Sequence, residues 1–159
     1  MEKGCFSRTE LIEIVGTAGA ANSIIYEYQT KGFGWLWFMY EYGLNGILAD
    51  DMGLGKTLQI ISFISSDDEN KPSLIVCPMS LVYNWQNECE KWGLKCPVRL
   101  IIGAAEERLE LIENISSNQK ILYITSYDSL RRDVSLYTAR FRFVIADEAQ
   151  FIKNQFAQK

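Results

Sequence analysis

The stretch Gly46-Ile47-Leu48-Ala49-Asp50-Asp51-Met52-Gly53-Leu54-Gly55-Lys56-Thr57 decides the architecture. A short apolar run leads into two closely spaced glycines, and a helical pattern begins at once at Lys56. A strand, a glycine loop and a helix in that order are the setting of a phosphate-binding loop. Gly53 and Gly55 let the backbone curl so that its N–H groups face inward, and the helix N-terminus adds the positive end of its dipole. Lys56 supplies a point charge for β and γ phosphates, and Thr57 offers a hydroxyl to magnesium. The general pattern G-x-x-x-x-G-K-[ST] has Gly where this chain has Asp50, so the loop by itself leaves a plain glycine turn as the other reading.

A second signal lies near the other end. Arg142-Phe143-Val144-Ile145-Ala146-Asp147-Glu148-Ala149-Gln150 places two carboxylates at the end of an apolar run. Buried strands seldom end in paired acids unless a cation satisfies them. Asp147 is the candidate to hold magnesium, directly or through water, and Glu148 the candidate general base that polarises an attacking water. The competing reading is a solvated strand end whose acids face water. Together with the loop at Lys56, the acid pair favours nucleotide chemistry, because both signals fall in register with strands.

Between and around these signals the pattern alternates. Apolar runs at 46–49, 73–77, 98–102, 120–125 and 142–146 have the length and branching of buried strands. Helical stretches are expected at 56–66, 80–92, 105–115 and 128–137. Strands alternating with helices imply an α/β fold, a parallel sheet with helices on both faces. Upstream, eight of the twenty aromatics fall between Tyr26 and Tyr42, which predicts a buried helix with Leu36, Met39, Tyr40 and Gly43 on one face. Trp35, Trp37 and Phe38 invite a base-stacking reading, but their spacing and the lack of interleaved Lys or Arg favour core packing. Trp85 and Trp92, seven apart, also read as core. Residues 1–24 carry no assignable role.

Composition narrows the classes. The chain has 159 residues, one domain's worth. Sixteen Lys and Arg against 20 Asp and Glu give a net charge of −4, so any polyanion must be met locally. With no histidine, Ser-His-Asp and Cys-His nucleophile systems and His-containing metal sites are excluded. The four cysteines form no C-x-x-C pair and read as reduced thiols of a cytoplasmic protein. The opening MEKGCFSRTE lacks a secretory pattern, and no apolar run is long enough to span a membrane.

These residues resemble the Swi/Snf-type helicase-like ATPases of helicase superfamily two. Tyr28-Gln29-Thr30-Lys31-Gly32-Phe33, Trp35-Leu36 and Gly43 to Thr57 are similar to that family's opening motif and motif I, where an Asp at position 50 is normal. Cys77-Pro78-Met79-Ser80-Leu81 with Asn84-Trp85 and Glu88 looks like motif Ia. Asp147-Glu148-Ala149-Gln150 with Ile152-Lys153-Asn154 looks like motif II in its DEAQ form.

The resemblance implies a P-loop NTPase, RecA-like lobe over residues 25–159, cut short after motif II. It implies an ATP-binding lobe of a DNA-dependent ATPase that translocates on double-stranded DNA and remodels protein–DNA complexes, with ATP and Mg2+ as cofactors. ATP would lie against Asp51, Met52, Gly53, Leu54, Gly55, Lys56 and Thr57; Gln29 would read adenine and Gln150 would couple nucleotide state to DNA. Ser80, Asn84, Thr125 and Ser126 would meet the DNA backbone. Helix capping by Ser80, and by Ser126 or Asp128, stands as the other reading of those positions.

In such motors a second RecA-like lobe supplies arginine fingers, and the strand after motif II inserts between the motif I and motif II strands. No Ser/Thr-Gly-Thr-Pro segment follows Gln150 here. The expectation is therefore weak nucleotide binding with negligible turnover by this chain alone. A truncated, non-hydrolysing nucleotide-binding or interaction module is the rival, and a P-loop NTPase acting on something other than nucleic acid is a third reading.

Overall fold

In a computed structural model, which describes residues 27–49 and 54–153, four of the five apolar runs become strands. The described residues fall into two units. One holds those up to Asp68 together with Glu88–Lys95, and the other holds Glu69–Asn87 and those from Cys96 onward.

The first unit is built on two packed helices, α1 (Glu27–Glu41) and α2 (Lys56–Ser66). The buried positions of α1 include Gln29 and Phe33, and the same stripe continues to Trp37 and Tyr40, whose rings meet Phe63 of α2 edge-on at 5.5 and 6.2 Å. The Trp37 indole N–H donates to the Ser66 hydroxyl at 3.2 Å. The buried face therefore starts from Gln29 and Phe33 and shares only Tyr40 with the expected set. Leu36 and Met39 are half-buried, and Gly43 is exposed. Of the three aromatics weighed as core, Trp37 packs inward, Trp35 is half-buried, and Phe38 is exposed, its ring 4.6 Å from that of Tyr42. Gly43 takes a left-handed φ of 64° just past the end of α1, and Leu44 N–H donates back to Met39 O at 2.8 Å. That is a glycine C-cap, and it stops the helix.

The second unit is a parallel sheet. Its strands are β1 (Ser73–Cys77), β2 (Val98–Ile101), β3 (Leu122–Ser126) and β4 (Val144–Ala146), in the order β2-β3-β1-β4. Ser73 faces Leu122, Leu74 faces Val144 and Val98 faces Leu122, all in parallel register. A 3-10 turn (Met79–Leu81) leads from β1 into α3 (Val82–Lys91). Then α4 (Ala105–Glu113) follows β2, α5 (Tyr127–Asp133) follows β3, and the short α6 (Gln150–Lys153) follows β4.

All five residues of β1 and of β3 are buried, so both faces of the central strands are covered, as in α/β sheets. On one face Leu74, Val76, Ile101 and Tyr123 cluster with Ile112 of α4, and Leu130 of α5 packs against them. The edge strands β2 and β4 are less covered; Val144 is exposed.

The expected strand at 46–49 does not form. Residues 44–49 have no regular structure, and Ile47 is 86% exposed. No described strand pairs with this segment, and an apolar run without a ladder leaves its amide groups to water. No helix among the described residues is long and apolar enough to cross a membrane.

Candidate functional site

In the first unit the candidate site is the start of α2. Gly55 precedes Lys56 with φ 76° and ψ 32°, a left-handed conformation that glycine adopts without steric cost. The helix has no acidic residue in its first turn and no side-chain cap. Its leading N–H groups and dipole thus favour an anion, and no carboxylate of the first turn opposes one. Gln29 of α1 is 7% exposed, and its amide donates to Leu54 O at 3.2 Å. The amide nitrogen lies where a Cβ on Gly55 would sit, so Gly55 is required by close approach as well as by φ. Gln29, expected to read adenine, braces the backbone of the loop. Leu54, Gly55, Lys56 and Thr57 are half-buried at this turn. The other loop residues, Asp51, Met52 and Gly53, lie outside the described residues, as do residues 1–24.

In the second unit the candidate site is the end of β4. Asp147 N–H donates to Val76 O at 2.8 Å, extending the pairing with β1 by one residue. The Asp147 carboxylate then receives two donors. Trp85 of α3 gives its indole N–H to Oδ2 at 2.8 Å, and the backbone N–H of Glu148 reaches Oδ1 at 2.9 Å. The Tyr127 hydroxyl donates to the Asp147 backbone carbonyl at 2.8 Å, and the Tyr127 ring stacks on Phe151. Glu148 is the one described non-glycine residue with a positive φ, 53°. A left-handed backbone costs an ordinary residue about 1 to 2 kcal/mol, so local bonds must hold this turn. Gln150 is exposed and donates to the Glu148 carboxylate.

Two neighbours of Asp147, Cys77 and Tyr127, hold their protons more tightly than usual. Burial, then the Asp147 charge, pushes the Cys77 thiol up to about 12. Burial first, then Asp147, Cys77 and Glu148, raises the Tyr127 phenol, so it stays a donor to Asp147 O. Among the described residues no three of His, Cys, Asp and Glu gather as a metal cage. The adjacent carboxylates of Asp147 and Glu148 are a donor set that fits magnesium, which is commonly held by one or two carboxylates, waters and substrate phosphates.

The four residues expected against DNA separate. Ser80 and Asn84 are exposed on the 3-10 turn and first turn of α3, beside exposed Met79 and Tyr83. Thr125 is fully buried, and its hydroxyl donates to Ile101 O at 2.9 Å. Ser126 is buried and accepts from Ser129 N–H at 3.1 Å, so it caps α5. In this fold the hydroxyls of Thr125 and Ser126 are engaged inside the protein. Arg131, on α5 after Ser126, pairs with Asp128 at 3.2 Å, and Arg142, at the opposite end of the sheet beside Pro72, pairs with Glu69 at 2.8 Å.

Sequence reasoning missed Trp85 as a site residue by assigning it wholly to the core. It is 3% exposed, and a buried indole N–H needs an acceptor. With β4 beside β1 in the sheet and α3 following β1, the Asp147 carboxylate supplies it.

The model of the SNF2-related domain matches residues 28–159. Among curated proteins, the chain is 42% identical over 139 residues to Helicase ssl-1 of Caenorhabditis elegans, covering 84% of this chain and 6% of that protein. It is 42% identical over 133 residues to an uncharacterized ATP-dependent helicase of Mycoplasma pneumoniae, covering 80% of this chain and 12% of the relative. The chain thus spans a small fraction of these relatives' length. Among solved structures, the Sulfolobus solfataricus SWI2/SNF2 ATPase core in complex with dsDNA superposes with a TM-score of 0.71 at 36% identity, over 84% of this chain and 28% of that one. By its family match, its relatives and its sheet, this chain belongs to the SNF2-related domain family.

Proposed function

We propose that residues 25–159 form the ATP-binding part of the first RecA-like lobe of a DNA-dependent ATPase that translocates on duplex DNA and remodels protein–DNA complexes. The observation that carries this reading is the uncapped start of α2, opened by left-handed Gly55 and followed by Lys56 and Thr57. Lys56 and the leading N–H groups of α2 bind the phosphates, and Gly53 and Gly55 shape the loop. Thr57 and Asp147 hold magnesium. Magnesium held there would neutralise the charge of the phosphates. Glu148 orients and deprotonates the attacking water, and Gln150, bonded to Glu148, relays the state of that carboxylate. Gln29 holds the loop by its bond to Leu54 O, and its amide is the proposed contact to the adenine edge.

Duplex DNA is the proposed partner, with exposed Ser80 and Asn84 on its backbone, because the structural relative is a complex with dsDNA. The setting is intracellular, where DNA is accessible. Turnover requires a second lobe with arginine fingers, whose loss costs about 10³- to 10⁵-fold in related systems. The test is ATP hydrolysis with and without duplex DNA. The expected rate for this chain is indistinguishable from that of Glu148→Gln. A DNA-stimulated rate approaching that of a complete motor would contradict the proposal.

A further inference from the structure

We propose that Trp85 is a positioning residue for Asp147, setting the orientation of its carboxylate and hence its affinity for magnesium. The proposal rests on the nucleotide reading above. Of the two donors to that carboxylate, the Glu148 N–H belongs to the next residue of the same turn. Among the described residues, Trp85 alone ties the side chain to a different element, through the 2.8 Å bond from its indole to Oδ2. The indole is held in place: Trp85 is 3% exposed, and Val82, one turn earlier on α3, is fully buried. The turn it steadies contains strained Glu148, so the acid pair depends on outside support.

The chemistry of the donor matters. A Lys or Arg in this position would neutralise the carboxylate and compete with a cation. An indole N–H orients the oxygen and leaves the negative charge intact. Trp85 lies on the same turn of α3 as exposed Asn84, so a contact at that surface is one residue from the bond to Asp147.

The experiment uses the 159-residue chain, ATP, and ATP with Mg2+. The Trp85 indole N–H resonance is identified by its loss in Trp85→Phe. It is expected to move in Asp147→Asn, and to move when Mg2+ is added to the ATP-bound chain. Trp85→Phe is expected to weaken Mg·ATP binding about 10- to 100-fold while leaving binding of ATP in EDTA within about twofold. An indole resonance indifferent to Asp147→Asn, or an equal loss with and without Mg2+, overturns the positioning role. If Trp85→Phe does not fold, the Asp147→Asn response of the unaltered indole decides, with assignment by Trp35→Phe, Trp37→Phe and Trp92→Phe. Failure of the unaltered chain to bind ATP at all overturns the nucleotide reading and this role with it, whereas an indifferent indole with ATP bound overturns this role alone.

Discussion

Arg108 grips Asp133 through two bonds, Nε to Oδ2 at 2.6 Å and Nη2 to Oδ1 at 3.1 Å, and so ties α4 to the last residue of α5. The same guanidinium donates to Gly103 O at 2.7 Å, and both charged side chains are largely buried.

Removing one member of such a pair leaves a buried charge without compensation, which costs about 3 to 5 kcal/mol. Arg108→Ala is expected to lower the unfolding free energy by about that much, a large share of a typical domain's stability. The double substitution Arg108→Met with Asp133→Leu is expected to recover most of the loss, since neither charge then remains. Urea unfolding of the three variants measures this. A single-variant loss under about 1 kcal/mol would show the pair to be solvated.

Gly55→Ala meets two obstacles. A left-handed alanine costs about 1 to 2 kcal/mol, and the new Cβ runs into the Gln29 amide. Stability is expected to fall by more than the backbone cost alone, and adding Gln29→Ala should return the steric part. If Gly55→Ala is as stable as the parent, the loop does not hold its left-handed turn in solution.

These two sites differ in how readable they were. The helix at 56–66 and the strand at 73–77 appear with the expected bounds, because an apolar period and a buried five-residue run are local signals. The run at 46–49 looked equally strand-like, but a strand exists only with a partner, and among the described residues no strand pairs with it. The buried face of α1 was misread because Gln29 counts as polar in any periodicity; its burial rests on Leu54 O, a partner 25 residues away. The acid pair was legible by residue type at a strand end. The left-handed Glu148 and the bond from Trp85 were not, since both depend on how α3 and β4 flank β1. The expectation that Thr125 meets the DNA backbone came from its motif alone, and the pairing of β3 with β2 engages its hydroxyl with Ile101 O.

Cys77 gives the pH dependence a definite sign. Its thiol titrates near 9.0 ordinarily and is pushed up to about 12 in the fold. Below 9 the thiol is protonated in both states, and its contribution is fully present. Between about 9 and 12 the unfolded chain gives up the proton and the folded chain keeps it, so stability falls as pH rises. The slope from this thiol is about 1.4 kcal/mol per pH unit. Buried Tyr123 and half-buried Tyr127 and Tyr137, also raised chiefly by burial, add to it with the same sign at higher pH. Urea midpoints from pH 8 to 11 should decline, and less steeply in Cys77→Ala. Equal slopes in the two proteins would mean that the thiol is open to water.

The central claim is that the start of α2 binds the phosphates of ATP through Lys56. Equilibrium dialysis of labelled ATP with Mg2+ against the unaltered chain and Lys56→Ala tests it most directly. The account predicts measurable, weak binding that falls at least about tenfold in Lys56→Ala, the loss of one charge-assisted contact. Binding of equal strength in both proteins would contradict it.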